Sequence, residues 1–140
     1  MYKSFLKWAG GKYKVLPMLM PIIGDCTQFI EPFAGSSCVS LNVQSPVTVV
    51  NDTNTDLINI YKTLINEGED FINTCESLFL DGNNEEVYYQ RRDEFNEIED
   101  VRRKSALFVY LNRHCFNGLT RYNKKGKFNV TQKSVQKRRW

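Results

Sequence analysis

Two groups of residues in this sequence have the chemistry to bind a nucleotide-like ligand. The first is a turn of small residues, Glu31-Pro32-Phe33-Ala34-Gly35-Ser36-Ser37, in which glycine allows a backbone path that a side chain would obstruct. The second is Asp52, which follows an apolar run about 20 residues after the turn. A carboxylate at that spacing can accept hydrogen bonds from both hydroxyls of a ribose. An ordinary turn of a βαβ unit would show the same two features, so both interpretations stay open on these residues alone.

The elements around these groups are predicted to be two strands and a helix. Residues 29–30 indicate the end of a short buried strand, and residues 47–50 a second strand. Both are near-continuous apolar runs, which are typical of central strands in a parallel sheet. A helix is expected to open at 39–41, with Ser36 or Ser37 as its N-cap. This order places amide N–H groups at the carboxyl end of a sheet, where open α/β folds bind nucleotide-like ligands.

A later stretch has the composition of a hairpin that could read DNA. Asn117-Gly118 is a strong hairpin signal because both residues accept a positive φ, and residues 123–127 predict another turn before a returning strand at 128–130. Arg121 can form two hydrogen bonds to guanine O6 and N7, and Leu119 can contact a thymine methyl. A plain surface hairpin is the alternative interpretation.

Charge is segregated along the chain, which has a formal net charge of +3. Residues 1–20 carry four lysines and residues 121–140 carry eight lysines or arginines, and neither segment has an acid. The middle hundred residues hold all 16 acids. Two basic ends around an acidic body predict one face directed at phosphates. For the last ten residues, a solvated tail is the preferred interpretation.

Several motifs, in their order along the chain, resemble the Dam family of DNA adenine-N6 methyltransferases, which use S-adenosylmethionine. They are Phe5-Leu6-Lys7-Trp8-Ala9-Gly10-Gly11-Lys12-Tyr13, the stretch 29–42, Asn51-Asp52-Thr53-Asn54-Thr55-Asp56-Leu57, Leu111-Asn112-Arg113, Asn117-Gly118-Leu119-Thr120-Arg121-Tyr122-Asn123 and Gly126-Lys127-Phe128-Asn129-Val130. The resemblance implies a Rossmann-like α/β fold with an incomplete sheet, an inserted helical target-recognition domain and a β-hairpin. It also implies double-stranded DNA as partner and methylation of adenine N6 within GATC.

The resemblance assigns roles to individual residues. Those expected to form the cofactor pocket are Trp8, Gly10, Gly11, Lys12, Glu31, Phe33, Gly35 and Asp52. Those expected to contact DNA are Lys7, Phe116, Asn117, Leu119, Arg121 and Asn123, with Arg91 as a weaker candidate. Phe116 and Asn117 are placed between opened base pairs, and Lys12 near the target adenine. Arg121 is placed on a guanine of GATC, and Asn123 at the DNA backbone.

A P-loop interpretation of Gly10-Gly11-Lys12 is disfavoured. Tyr13 stands where a Ser or Thr should bind magnesium, and Leu6 occupies the position of the first glycine. The resemblance to the Dam family implies instead that the segment belongs to the cofactor pocket. Paired glycines let the backbone approach a ligand, and the indole of Trp8 offers a flat surface for a purine.

The sequence departs from the Dam pattern in two places. Ser37 stands where many members have a second glycine. The Asp-Pro-Pro-Tyr motif, which supplies acceptors for the adenine amine, does not occur, because the four prolines are Pro17, Pro21, Pro32 and Pro46. No catalytic residue is assigned, and truncation, by a frameshift for example, is the simplest explanation. The alternatives are a non-catalytic DNA-binding remnant and a general basic nucleic-acid-binding module.

The expected domain organisation follows from these motifs. Residues 1–54 would form the N-terminal part of the catalytic domain, and residues 55–130 a helical target-recognition domain whose hairpin spans 115–130. Helical periodicity predicts four helices before that hairpin. Residues 131–140 are expected to be a disordered basic tail. Because an incomplete sheet has an unpaired edge, association of copies is expected, without a predicted oligomeric state.

Composition limits the remaining possibilities. No apolar run is long enough to cross a membrane, and the first residues lack the apolar region of a signal peptide, so a cytoplasmic protein is expected. The four cysteines form no Cys-x-x-Cys pair, and with the single histidine, His114, they lack the usual spacing of a metal site. Reduced thiols and no metal are expected.

Overall fold

A computed structural model of the chain describes residues 1–82 and 84–133. In these ranges it forms five α-helices and a two-stranded parallel sheet, which confirms the mixed α/β class. The elements are α1 (Leu16–Ile23), β1 (Gln28–Glu31), β2 (Val47–Val50), α2 (Thr55–Glu67), α3 (Glu69–Phe79), α4 (Glu85–Glu97) and α5 (Val101–His114). Short 3-10 turns at Tyr13–Val15 and Phe116–Gly118 precede α1 and follow α5. Residues 134–140 of the predicted tail lie outside the described residues.

The helical body is built from four amphipathic segments, as the periodicity predicted. The side chains of Asn54, Asn84 and Asp100 cap α2, α4 and α5 by accepting hydrogen bonds from backbone N–H groups of the first turns. Helices α2, α3 and α4 all pack against α5. Residues 105–112 of α5 are buried on every side, so this helix forms the centre of the body.

The main hydrophobic core extends beyond the helices. Leu6 near the N-terminus, together with Phe128 and Val130 of the hairpin, packs in the same cluster as the buried residues of α2–α5. The Tyr88 hydroxyl donates to the Val130 carbonyl at 2.9 Å, which fastens the returning arm of the hairpin to α4. The N-terminal segment and the hairpin are therefore both attached to the helical body.

The two strands are parallel, with Gln28 paired to Val47 and Glu31 to Val50. The prediction that they are buried is wrong, because none of their eight residues is fully buried. Ile30, Val47 and Val49 are 56%, 48% and 42% exposed. On the face opposite to these three side chains, Phe29 is partly covered, because it packs against the smaller core around Leu16, Cys38 and Val39. Thr48, which pairs with Phe29, is exposed.

The predicted helix after β1 does not form. Residues 35–42 make consecutive turns instead, because Ser37 has a φ of 52°, which is incompatible with the extended conformation of an N-cap. The side chain of Asn42 also donates to the Cys38 carbonyl at 2.8 Å, the position that the Asn42 backbone N–H would take in a helix. The backbone N–H bonds to the Val39 carbonyl instead. These turns still place their residues beside the carboxyl end of β1.

Helix α1 contains two prolines, and the cysteines are in the expected reduced state. Pro17 lies in the first turn of α1, where a missing N–H is tolerated, and Pro21 lies inside it. The four cysteines are free thiols. Among the residues described, no helix combines the length and the apolar character needed to cross a membrane. The same residues contain no cluster of three or more His, Cys, Asp or Glu side chains suited to a metal ion.

Candidate functional site

A cavity of about 370 Å³ lies at the carboxyl ends of β1 and β2. The structure brings all eight residues of the predicted cofactor pocket to its walls: Trp8, Gly10, Gly11, Lys12, Glu31, Phe33, Gly35 and Asp52. Six further residues line it without having been assigned from the sequence: Ala9, Leu19, Ala34, Ser36, Cys38 and Val39. Its volume falls in the range of small-molecule and cofactor sites.

The loops that follow the two strands are bonded to each other beneath the cavity. The Asn51 N–H donates to the Glu31 carbonyl and the Ala34 N–H to the Asn51 carbonyl, each at 2.9 Å. Asp52 adds two side-chain bonds: its Oδ2 accepts from the Gly35 N–H at 2.9 Å and its Oδ1 from the Asn54 N–H at 3.0 Å. A carboxylate has about four acceptor positions, so Asp52 keeps capacity for two further donors.

Glu31 is the second carboxylate of the cavity wall. Its Oε2 accepts a hydrogen bond from the Ser40 N–H at 3.0 Å and another from the Ser40 hydroxyl. Both bonds fall on one oxygen, so the side chain is fixed while Oε1 keeps its acceptor capacity. Two negatively charged groups in one cavity favour a ligand with hydroxyl donors or a positive charge.

Trp8 and Gly35 form the tightest contact of the cavity wall. A Cβ built on Gly35 would lie 2.6 Å from Trp8 Cδ1 and 2.7 Å from Nε1, and Gly35 has a φ of +49°. The Tyr61 hydroxyl of α2 donates to the Gly35 carbonyl at 2.5 Å. Burial raises the pKa of the Tyr61 phenol to about 12, so this donor keeps its proton at neutral pH. Gly35 is therefore held by both its N–H and its carbonyl against the indole.

The Gly10-Gly11-Lys12 stretch closes another side of the cavity. The Gly11 N–H donates to the Trp8 carbonyl at 3.2 Å, which forms a tight turn, and Gly10 has a φ of +75°. The Lys12 ammonium donates to the Gly10 carbonyl at 2.9 Å, and the side chain is exposed. Phe33 is 83% exposed at the rim. Lys12 and Phe33 are thus exposed at the cavity, as are Gly10 and Gly11.

The hairpin at 115–130 forms, although single bridges replace the predicted returning strand. Tyr122 pairs with Phe128 and Cys115 with Gln132. Its tip is the turn at 123–127, where Asn123 Oδ1 accepts from the Lys125 and Lys127 N–H groups at 2.9 and 3.1 Å. The Asn123 side chain therefore shapes the tip.

The other predicted DNA contacts lie on the base and arms of this hairpin. Asn117 and Gly118 both have positive φ, as predicted, but they belong to the 3-10 turn at its base rather than to the tip. Phe116 and Leu119 are 51% and 40% exposed on either side of that turn. Arg121 is exposed, and its Nε donates to Asn129 Oδ1 at 3.0 Å across the hairpin. This bond uses Nε alone, so the two terminal nitrogens of Arg121 can donate hydrogen bonds to a ligand.

Lys7 lies beside the hairpin base, whereas Arg91 does not lie on an exposed surface. The Lys7 stem contacts Gly118 closely. Arg91 is only 8% exposed, and its guanidinium binds the Leu78 carbonyl and Asp81 and lies 4.3 Å from the Tyr110 ring centroid. These contacts join α3, α4 and α5, so the structure corrects the weaker prediction for Arg91 and gives it a structural role.

Two residues near the site had no role in the sequence predictions. Tyr61 fits the apolar face of an amphipathic helix, and nothing in the local pattern indicates its bond to Gly35. Asn112 is 1% exposed and bonds to the backbones of Lys7 and Gly118. Asn112 belongs to the motif Leu111-Asn112-Arg113 of the resemblance, but that motif gave the residue no role.

Comparison with known proteins gives consistent matches along the chain. Residues 8–140 match the family model of the D12 class N6 adenine-specific DNA methyltransferases. A DNA adenine methylase of Serratia marcescens is 44% identical over 131 residues, which cover 91% of this chain and 48% of that protein. A DNA N-6-adenine-methyltransferase of Escherichia phage P1 is 44% identical over 129 residues, covering 91% of this chain and 17% of that protein.

A DNA adenine methylase of Vibrio cholerae serotype O1 is 41% identical over 136 residues, covering 96% of this chain and 49% of that protein. The chain therefore spans about half the length, or less, of the curated relatives described here. A match along nearly the whole chain excludes an accidental resemblance, and with it the general nucleic-acid-binding module. The chain belongs to the D12 class of N6 adenine-specific DNA methyltransferases.

Proposed function

We propose that this chain binds S-adenosylmethionine in the cavity and uses the 115–130 hairpin to recognise GATC in double-stranded DNA, for methylation of the adenine N6. The observation that carries the proposal is that eight residues from three separate segments of the sequence line one cavity. The cavity would belong to a Rossmann-like domain with residues 55–130 as an inserted recognition domain. The cytoplasmic location expected from the sequence stays a prediction.

The donor set of the cavity fits this cofactor. An adenosine needs a flat apolar surface, which the Trp8 ring supplies, and acceptors for its ribose hydroxyls, which Asp52 can supply. The cofactor also carries positive charge at its sulfonium, which a second carboxylate, Glu31, stabilises. When bound, S-adenosylmethionine supplies an activated methyl group, and these residues orient it.

The adenine amine needs acceptors that these 140 residues do not provide in the Asp-Pro-Pro-Tyr form. An amine inside a duplex is reached only when its base is flipped out of the stack and hydrogen-bonded. We therefore propose that this chain supplies cofactor binding and target recognition, and that these 140 residues alone do not transfer the methyl group.

Replacement of Asp52 tests the cofactor part of the proposal. Asp52→Ala should raise the Kd for S-adenosylmethionine by about 5- to 150-fold, or about 1–3 kcal/mol, because buried ribose hydroxyls would lose a charged acceptor. Isothermal titration calorimetry of the 140-residue chain gives this value. Asp56→Asn is the matched control, because Asp56 lies four residues later in α2 and does not line the cavity. Equal Kd values for the unaltered chain and Asp52→Ala would remove Asp52 from this role.

Replacement of Arg121 tests the DNA part. Arg121→Gln should reduce the preference for a GATC duplex over a duplex with a changed guanine by about 5- to 150-fold, because a bidentate contact contributes about 1–3 kcal/mol of discrimination. Fluorescence anisotropy at fixed salt measures both affinities. Lys124→Gln, an exposed lysine of the same hairpin, should weaken both duplexes alike and lower the salt slope by about 1. A preference retained in Arg121→Gln would assign guanine recognition to another residue.

A further inference from the structure

Asn112 joins the N-terminal segment, residues 5–8, to the turn Phe116–Gly118. Its Oδ1 accepts from the Lys7 N–H at 2.8 Å, and its Nδ2 donates to the Lys7 carbonyl at 2.8 Å. Nδ2 also donates to the Gly118 carbonyl at 3.3 Å. With 1% of its surface exposed, the amide cannot exchange these partners for bulk water. One buried side chain therefore holds two backbone segments that lie far apart in sequence.

The N-terminal segment passes directly from the core to the cavity. Leu6 is buried in the helical core, and Trp8 lines the cavity with its ring against Gly35. Lys7 lies between them and has both backbone polar groups bound to Asn112. A shift of Lys7 would consequently shift the indole that forms the cavity wall.

The turn on the other side of Asn112 has no space in which to move toward Lys7. A Cβ built on Gly118 would overlap Lys7 Cβ and lie 2.7 Å from Lys7 Cδ. The exposed side chains of Phe116 and Leu119 lie at the two ends of this turn. The hairpin base and the segment behind the cavity are thus packed together with Asn112 as their shared hydrogen-bonding group.

We infer that Asn112 is a positioning residue that couples the cofactor cavity to the DNA-reading hairpin. The inference rests on the proposed function of the two sites. Because Lys7 and Gly118 share one buried amide, a ligand that orders the Trp8 wall also orders the hairpin base, and DNA bound at the hairpin orders the wall. Coupling of this kind is reciprocal.

Asn96 is a matched control that the chain itself provides. Its Oδ1 accepts from the Phe128 N–H at 2.7 Å and its Nδ2 donates to the Phe128 carbonyl at 3.1 Å, the same pair of backbone bonds that Asn112 makes with Lys7. Asn96 fastens the returning arm of the hairpin to α4, and its hydrogen bonds go to Phe128 rather than to the N-terminal segment. Asn96→Ala therefore loosens the hairpin without touching the proposed connection.

The test measures the Kd of S-adenosylhomocysteine for the 140-residue chain with and without a saturating GATC duplex. The unaltered chain should bind S-adenosylhomocysteine at least about 5-fold more tightly when DNA is present than when it is absent. A ratio of this size is typical of coupled sites. Asn112→Ala should reduce that ratio to less than about 2-fold, whereas Asn96→Ala should keep it. Thermal unfolding of each variant establishes the temperature at which it is folded.

Three results would overturn this inference without contradicting the proposed function. They are a Kd ratio near one in the unaltered chain, an unchanged Kd ratio in Asn112→Ala, or an equal loss of the Kd ratio in Asn96→Ala. An unaltered chain that binds neither ligand would instead contradict the proposed function as well. If Asn112→Ala does not fold, Asn112→Asp serves, because it keeps the side-chain volume and the acceptor for the Lys7 N–H but removes the donor to both carbonyls. Retention of the full ratio in Asn112→Asp would equally overturn the inference.

Discussion

Replacing Gly118 by alanine should lower the free energy of unfolding by about 2–5 kcal/mol. Gly118 has a φ of +65°, in the left-handed region that costs an L-residue roughly 1–2 kcal/mol. The added Cβ would also overlap Lys7 Cβ. Lys7 cannot move away at low cost, because Asn112 binds both its backbone N–H and its carbonyl. Overpacking of this kind costs about 1–3 kcal/mol.

Gly126→Ala is the control that separates backbone strain from overlap. Gly126 has a φ of +74° in the same hairpin, and a Cβ there would meet nothing within 4 Å. Gly126→Ala should therefore lower the free energy of unfolding only by the cost of the positive φ, roughly 1–2 kcal/mol. Urea unfolding followed by circular dichroism compares the two variants. Equal losses would show that the contact between Gly118 and Lys7 relaxes without cost.

The helices were predictable because their signals are local. Apolar spacing along 55–113 acts within one or two turns of the chain, and the structure shows the four expected helices there. The caps Asn54, Asn84 and Asp100 are equally local. The parallel pairing of the two strands followed from their apolar character and from the segment between them. Elements whose determinants lie in adjacent residues can be derived from a sequence alone.

The errors lie where apolar spacing does not decide the outcome. The predicted helix after β1 fails because of the φ of Ser37 and the bond from Asn42 to Cys38, and neither is visible in apolar spacing. Arg91 has the composition of a DNA-binding residue, but Asp81 and the Tyr110 ring, brought together by three helices, bury it. A charged residue is assigned to surface or core by its partners, which only the tertiary structure identifies.

The cavity residues were assigned by the order of motifs, and their spacing alone left an ordinary βαβ turn equally open. The motifs do not indicate which other residues hold the cavity residues in place. Tyr61 binds Gly35 across 26 positions and Asn112 binds Lys7 across 105. Single hydrogen bonds between such distant positions leave no periodicity in a sequence. The residues that hold a site in place are therefore harder to predict than those that line it.

Replacing Gly35 by alanine should abolish most cofactor affinity, with a rise in Kd of about 30-fold or more, or about 2 kcal/mol. The new Cβ would lie 2.6 Å from Trp8 Cδ1, so the indole must leave its place in the cavity wall. Gly35 itself cannot retreat easily, because its N–H binds Asp52 and its carbonyl accepts from Tyr61. The strain at a φ of +49° adds to this cost.

Calorimetry with S-adenosylhomocysteine measures the change, and Gly24→Ala is the matched control. Gly24 has a φ of +58° at the end of α1, with nothing within 4 Å of an added Cβ, so it carries backbone strain of its own without the contact to Trp8. The double variant with Trp8→Ala isolates that contact: without the indole, Gly35→Ala should cost distinctly less affinity than it costs in the unaltered chain. If Gly35→Ala binds as tightly as Gly24→Ala, or if its cost is the same with and without the indole, the contact between Gly35 and Trp8 does not shape the cofactor cavity.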